Sequence, residues 1–220
     1  QPFLTTVIFT VVFGSIAGLA PDGIPSFLFY LCGTIAWQYF SGCLTMTSST
    51  FTANSAILGK VYFPRLVMPV STVISQLIPF AIQFVFFMIL VPSGVEPNLC
   101  ILLLPLMILQ LALLGLGFGI IISACTTKYR DLAMLVGFGA QLWMYATPVA
   151  YDISIIPEKW LALYMCNPVT PVIMTFRYAF LGVGFFSLKY YLISWAVTLV
   201  VLFGGIILFS RVEKAFTDTV

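Results

Sequence analysis

An uncharged segment of the chain, residues 27–53, carries a regular row of side chains, most of which bear hydroxyl groups. The row is Trp37, Ser41, Thr45, Ser48 and Thr52, with spacings of four, four, three and four residues. This spacing places the side chains on one face of an α-helix. Such a face can line a polar conduit, or it can hydrogen-bond to a neighbouring helix in a membrane. The residues alone leave both interpretations open.

A second row occurs in the segment 132–150, where Met134, Phe138, Gln141 and Tyr145 share a helical face. A primary amide in lipid is costly, so Gln141 is expected to face protein or water. If the row in residues 27–53 lines a conduit, that conduit is uncharged. Its walls are neutral, aromatic and hydroxylated, which suits a glycan better than an ion.

Residues for acid–base or metal chemistry are scarce. The chain has no His, and its 16 Lys, Arg, Asp and Glu residues all lie outside the interiors of the apolar stretches. The five cysteines show no Cys-x-x-Cys spacing. General acid–base catalysis needs titratable groups at a pocket, and proton carriers need ionisable groups within the membrane. We therefore expect no catalytic site, no metal site and no cofactor bound by this chain. Without a basic run, no nucleic-acid partner is expected either.

The charged residues separate long uncharged stretches. The chain is 61% hydrophobic and 7% charged, against about 25% charged residues in soluble domains. A helix needs about 20 apolar residues to cross a membrane, and helices satisfy every backbone group internally. The sequence predicts an all-α membrane protein with one domain over 1–220. Its six transmembrane helices are predicted at about 2–19, 27–53, 69–92, 99–125, 132–150 and 188–210. Within the fourth, the Gly-x-x-x-Gly pair Gly115 and Gly119 predicts close helix packing.

Lys and Arg residues predict the orientation of these spans. One set of loops holds six of them, at Lys60, Arg65, Lys128, Arg130, Arg211 and Lys214, whereas the other set holds three. Cytoplasmic loops carry the excess of Lys and Arg. An even number of spans then places both termini in the cytoplasm. Since the chain starts Gln-Pro-Phe and is apolar from residue 3, we also expect that a native N-terminal segment is missing.

The segment 152–185, on the predicted outer side, contains apolar stretches too short to cross a membrane. We interpret it as a re-entrant helical hairpin that turns at Asn167-Pro168; the alternative is an external loop lying on the membrane. Arg177 stands out in this apolar segment. It can bind a phosphate group, form a structural pair with Asp152 or Glu158, or extend to the lipid head groups.

The predicted cytoplasmic loop 54–68 is apolar and aromatic around only two cations. One interpretation is a docking element with Tyr62 and Phe63 as anchors and Arg65 as a polar contact, because aromatic residues and Arg dominate interface energetics. The other is a loop folded back onto the membrane surface.

Several motifs in this order resemble a known family. Lys60-Val61-Tyr62-Phe63-Pro64-Arg65 is similar to the coupling region of type-2 ABC exporter permeases, which move O-antigen, teichoic acid and related polysaccharides. Tyr129-Arg130-Asp131 is similar to the family's short cytoplasmic loop. Further similar segments are Gln141 to Tyr151, Pro157 to Trp160, Asn167-Pro168 and Phe176 to Gly182. The resemblance covers nearly the whole chain.

The resemblance implies a half-transporter that works as a homodimer in the bacterial inner membrane. A separate ATPase subunit would bind ATP and Mg²⁺ and contact the chain at Lys60–Arg65, with a second contact at Tyr129–Asp131. The family's N-terminal interface helix would precede residue 1. The segment 152–185 would form external gate helices, with Tyr151, Trp160, Asn167, Pro168 and Arg177 as gate residues. In the family the first, second and fifth spans surround the translocation path, so the resemblance implies a candidate conduit lined by Trp37, Ser41, Thr45, Ser48, Gln141 and Tyr145. The implied substrate is a lipid-linked polysaccharide. Alternatives are a drug or small-lipid exporter of the same superfamily, a membrane glycosyl- or acyltransferase, or a structural assembly subunit.

Overall fold

A computed structural model of the protein describes residues 2–21, 23–53, 66–91, 98–126 and 132–217. Within these residues the chain is helical and contains no strand, which confirms the all-α prediction. The helices, in chain order, are α1 (Pro2–Phe9), α2 (Ser26–Ala53), α3 (Val67–Ser75), α4 (Leu77–Leu90), α5 (Leu104–Thr126), α6 (Leu132–Tyr145), α7 (Glu158–Cys166), α8 (Val169–Leu181) and α9 (Leu188–Thr217). A π-helical stretch, Thr10–Ile16, continues α1, and 3-10 turns lie at Leu99–Leu103 and Ile153–Ile155.

Four helical segments of the described chain are long and apolar enough to cross a membrane. They are Ser26–Thr50, Val67–Leu90, Leu99–Thr126 and Leu188–Ser210, and all four lie within or close to predicted spans. The first predicted span forms a shorter apolar helix, Phe3–Ile16. The fifth forms α6. The chain is therefore a multi-pass membrane protein, while the total of six spans stays a prediction.

Helix α6 ends at Tyr145, short of the predicted end at residue 150. Pro148 explains the difference, because it has no N–H to donate to the carbonyl of Met144 and disfavours helical geometry at Thr147. The backbone continues in turns instead, with the N–H of Thr147 donating to the carbonyl of Met144 at 3.2 Å.

Helix α2 is the centre of the bundle. In its most apolar stretch 78% of the residues are buried, against 17% to 33% in the other three long helical segments. Its largest contact is with α5, which in turn packs on α9. Gly115 and Gly119 of α5 lie against α2 so closely that a Cβ at either position would come within 2.5 Å of a side-chain carbon of Cys43 or Thr47. The predicted close packing at this Gly-x-x-x-Gly pair is thus present.

Polar groups also join α5 to α9. Gln110 is fully buried, and its Nε2 donates to Ser194 Oγ at 2.7 Å and to Thr198 Oγ1 at 3.4 Å. Ser194 Oγ donates to the carbonyl of Pro168 at 2.5 Å, which ties the start of α8 to the same place. We call Gln110, Ser194 and Thr198 the packed seam.

The third predicted span is divided at Gln76, between α3 and α4. Pro79, one turn further on, has no N–H to donate to the carbonyl of Ser75, which weakens the helix at this point. The N–H of Gln76 is shared between the carbonyls of Thr72 and Val73, at 3.2 Å each. The side chain of Gln76 lies against α2, where a Cβ on Gly42 would come within 2.7 Å of its Oε1.

Candidate functional site: a polar cavity between α2, α4 and α6

A cavity of about 420 Å³ lies between α2, the α3–α4 junction, α4 and α6. Its volume falls in the range of about 300–1,000 Å³ that is typical of small-molecule sites. The described residues that line it include no charged side chain. They are Thr5, Trp37, Gln38, Tyr39, Ser41, Gly42, Thr45, Gln76, Pro79, Phe80, Gln83, Gly137, Ala140, Gln141 and Met144.

Four of the six residues of the candidate conduit meet in this cavity, namely Trp37, Ser41, Thr45 and Gln141. The hydroxyls of the α2 row are engaged with their own helix: Ser41 Oγ donates to the carbonyl of Gln38 at 3.3 Å, and Thr45 Oγ1 donates to that of Ser41 at 2.7 Å. Such bonds to the preceding turn are common for Ser and Thr in helices. The two hydroxyl oxygens retain lone pairs that can accept hydrogen bonds.

Ser48 and Tyr145 lie outside the lining of this cavity. Ser48 is buried, its Oγ donates to the carbonyl of Thr45, and its own carbonyl accepts a bond from Thr126 Oγ1 at 3.4 Å. It therefore sits where the end of α5 covers α2. Tyr145 is 45% exposed, and α6 presents Gly137, Ala140, Gln141 and Met144 to the cavity instead. The face of α6 that lines the cavity therefore lies about one residue earlier in the sequence than the predicted face, which contained Phe138 and Tyr145. The side chain of Thr52 is outside the described part.

Three lining residues, Gln38, Gln76 and Gln83, were not singled out by the sequence analysis. Gln76 and Gln83 are seven residues apart in an uncharged span, a spacing that puts them on one helical face. That pattern was a usable signal. With Gln141, the cavity holds four carboxamides from α2, α6 and the divided third span.

The predicted hairpin segment forms two helices, α7 and α8, joined at Asn167-Pro168. Asn167 attaches the turn to the end of α6: its Oδ1 accepts a bond from Trp143 Nε1 at 3.2 Å, and its Nδ2 donates to Thr147 Oγ1 at 2.8 Å. The turn therefore lies where it was predicted, and the side chain of Asn167 holds it in place. Whether the two helices enter the membrane remains part of the proposal below.

Arg177 of α8 is 3% exposed and binds the backbone that follows α6. Its Nη1 donates to the carbonyl of Pro148 at 2.6 Å, and its Nη2 donates to that of Val149 at 2.6 Å. The guanidinium carbon lies 3.8 Å from the centre of the Phe29 ring, a favourable cation–π contact. Gly33 makes room, since a Cβ there would lie 2.5 Å from Nη2.

This geometry bears on the three predicted roles of Arg177. A phosphate receptor or a lipid-facing cation needs an accessible guanidinium, whereas this one is buried against backbone carbonyls and an aromatic ring. The structural role is the one that the geometry fits. Its hydrogen-bond partners are carbonyl groups rather than the predicted carboxylate of Asp152 or Glu158.

Two further cavities lie beside α7. One, of about 470 Å³, is lined by Tyr151 and Trp160, and the other, of about 410 Å³, by Asn167 and Pro168. Tyr164 lines both and makes an edge-to-face contact with Tyr151 at 6.4 Å between ring centres. The predicted gate residues other than Arg177 therefore line these two cavities, as does Tyr164. The coupling residues Lys60 to Arg65 and the loop residues Tyr129 to Asp131 lie outside the described residues.

Comparison with known proteins agrees with the family resemblance seen in the sequence. The model of the ABC-2 type transporter family matches residues 1–181, so the chain belongs to the ABC-2 type transporter family. It is similar to the O-antigen export system permease protein RfbA of Klebsiella pneumoniae, with 28% identity over 226 residues, 99% of this chain and 84% of the relative. An O-antigen export system permease protein RfbA of Myxococcus xanthus is 26% identical over 203 residues, 90% of this chain and 78% of that protein. The predicted resemblance to polysaccharide exporter permeases is thereby confirmed.

Proposed function

We propose that the chain is the transmembrane subunit of an ATP-driven exporter that moves a lipid-linked polysaccharide, O-antigen-like or teichoic-acid-like, across the bacterial inner membrane. The observation that carries this proposal is the uncharged polar cavity in which Trp37, Ser41, Thr45 and Gln141 meet. Hydroxyls, carboxamides and aromatic rings recognise sugars without charge. The O-antigen export function named for the relatives points to the same class of cargo.

The proposed transporter contains two copies of this chain and a separate ATPase subunit that binds ATP and Mg²⁺. The ATPase contacts Lys60–Arg65, and its closure on ATP moves the divided third span and α2 through that loop. Tyr129–Asp131 forms a second contact. This chain supplies the path for the cargo and no catalytic site.

Both termini are proposed to lie in the cytoplasm, with six spans per copy. Helices α7 and α8 then form a re-entrant gate on the outer side. The bonds of Asn167 and Arg177 to the end of α6 support this assignment, because they couple the gate to a helix that lines the cavity. A movement of α6 would thus be passed to the gate.

The experiment is reconstitution of the full-length protein with its candidate ATPase in vesicles, following ATP hydrolysis and the appearance of lipid-linked glycan on the far side. Export is expected to require ATP and to be lost in Arg65→Glu. Lys189→Glu, a charge reversal at an exposed residue at the start of α9, is the matched control and should export normally.

The other possible results of this experiment lead to different conclusions about the function. ATP hydrolysis without glycan movement, together with export of a drug or a small lipid, would replace the proposed cargo. Glycan modification without ATP would support the transferase alternative. If the chain neither binds the ATPase nor transports any cargo, the proposal as a whole is contradicted.

A further inference from the structure

The four carboxamides of the cavity come from three separate parts of the fold. Gln38 lies on α2, Gln141 on α6, Gln76 at the α3–α4 junction and Gln83 on α4. A single amide in a membrane helix usually serves helix packing. The convergence of four on one space of about 420 Å³ is a different arrangement, since each can offer two N–H donors and one acceptor to whatever occupies that space.

The side chain of Gln76 occupies space that is left open by a glycine of α2. The side chain of Gln76 starts from the α3–α4 junction, and Gly42 of α2 lies directly opposite. A Cβ at Gly42 would come within 2.7 Å of Gln76 Oε1, so the absence of a side chain at residue 42 is what lets the carboxamide lie there. Pro79 and Phe80 line the wall next to it.

Gln83 has unused hydrogen-bonding capacity. Its Oε1 is buried and accepts no hydrogen bond from the residues that the structure describes. A buried polar atom without a partner is unfavourable, because it has lost its hydrogen bonds to water. Gln110 Oε1 is also buried without a hydrogen-bond partner, but Gln110 lies fully buried in the packed seam and is bonded through its Nε2. Gln83, in contrast, belongs to a residue set that lines a cavity.

The wall chemistry defines the ligand. Ser41 and Thr45 already donate to their own helix, so what they offer is acceptor lone pairs, while the carboxamides both donate and accept. Sugar hydroxyls are complementary to this mixture because each donates and accepts. Trp37, Tyr39 and Phe80 add apolar faces. The described lining residues offer no cation to neutralise an anionic group, whose desolvation would be expensive.

We propose that this cavity is a saccharide-binding subsite in which Gln76 and Gln83 of the third span hydrogen-bond to the hydroxyls of the passing glycan and select neutral over anionic sugars. The inference rests on the proposed function. It adds the third span to the path, and it favours the O-antigen-like cargo over the anionic, teichoic-acid-like one. It also assigns the selection of cargo to carboxamides rather than to the α2 hydroxyl row alone.

The test uses the complete transporter in vesicles, with a neutral glycan lipid as cargo. Gln76→Met and Gln83→Met keep side-chain volume and remove hydrogen bonding. Loss of one hydrogen bond of about 1 kcal/mol corresponds to roughly a fivefold effect, so each variant is expected to lower the export rate about threefold to tenfold, and the double variant more. The amount of folded complex and its melting temperature are measured for every variant.

Gln110→Met is the matched control, since it makes the same change in the packed seam. Export per folded complex should equal that of the unaltered protein. Gly42→Ala is a second probe that leaves Gln76 in the chain: the new Cβ displaces only the flexible end of Gln76, and export should fall as in Gln76→Met. This variant keeps the test decisive if a Met variant folds poorly.

Selection is tested with Gln83→Lys and an anionic glycan lipid. A new cation in the cavity is expected to raise the ratio of anionic to neutral export at least threefold. The inference is overturned if the double Met variant exports at the unaltered rate, or if Gln110→Met loses as much export per folded complex. Failure of the unaltered transporter to move any glycan would instead overturn the proposed function, so the two failures are distinguishable.

Discussion

Two sets of polar side chains lie within this apolar bundle, and they are used differently. In one set the groups are bonded to the protein: Gln110 to Ser194 and Thr198, and Arg177 to the carbonyls of Pro148 and Val149. In the other set, the cavity glutamines such as Gln76 and Gln83 surround space. Residue type does not distinguish them, because Gln occurs in both. What distinguishes them is whether a neighbouring helix fills the volume in front of the amide.

The largest effect on stability is expected at Arg177. Arg177→Met removes the hydrogen bonds from the guanidinium to the carbonyls of Pro148 and Val149, and a longer one to the carbonyl of Tyr151. Hydrogen bonds to charged groups contribute about 1.5–3 kcal/mol each, so the free energy of unfolding should fall by about 3 kcal/mol. It is measured by SDS titration in mixed micelles.

Arg177→Lys keeps the charge but cannot present two parallel donors, and its loss should be intermediate. Lys189→Met, at an exposed position, is the control and should change stability by at most about 0.5 kcal/mol. Normal stability of Arg177→Met would place Arg177 outside the bonded set and reopen its role as a phosphate receptor.

The next effect compares two glycines: Gly115, at the contact between α5 and α2, and Gly137, on the wall of the cavity. Gly115→Ala places a Cβ within 2.5 Å of Cys43 Cβ and 3.0 Å of the carbonyl oxygen of Phe40. Overpacking of this kind costs about 1–3 kcal/mol. Gly137→Ala, on the cavity wall, meets nothing within 4 Å and should leave stability unchanged or raise it by up to about 1 kcal/mol through helix propensity. Melting temperatures of the two purified variants give the comparison. A drop at Gly137 equal to that at Gly115 would mean that the cavity is filled in the folded protein.

The smallest effect is expected in the packed seam. Gln110→Met removes the bonds to Ser194 and Thr198, and bonds between membrane helices contribute about 0.6 kcal/mol on average. Its buried, unpartnered Oε1 is removed at the same time, which offsets part of the loss. We expect stability to fall by about 0.5 kcal/mol in the same SDS titration. A loss above about 2 kcal/mol would show that the seam is a stronger contact than its geometry indicates.

The sequence predicted the helical class, the ends of most long helices and the turn at Asn167-Pro168, because these follow from apolar length and from proline. Helical periodicity predicted the face shared by Trp37, Ser41 and Thr45, and the family resemblance placed Gln141 beside them. Periodicity does not tell which neighbour covers that face at each level of the helix. Ser48 belongs to the hydroxyl row of α2, yet the end of α5 covers it instead of leaving it in the cavity.

Gln76 and Gln83 were missed for a related reason. The position of the Gln76 carboxamide depends on the space left by Gly42 of α2. The seven-residue spacing of Gln76 and Gln83 was visible in the sequence, but their position beside α2 was not. Arg177 was recognised as unusual, but its partners are backbone carbonyls of residues 148 and 149, and a pairing to backbone leaves no signal in side-chain types.

The measurement that tests the central claim most directly is photo-crosslinking during transport. A diazirine amino acid replaces Gln83 in one transporter and Gln110 in another, and both are illuminated while radiolabelled glycan lipid is exported with ATP. We predict a glycan adduct at position 83 that requires ATP, and none at position 110. Equal adducts at both positions, or an adduct at 110 with none at 83 during active export, would contradict the distinction between the cavity and the packed seam.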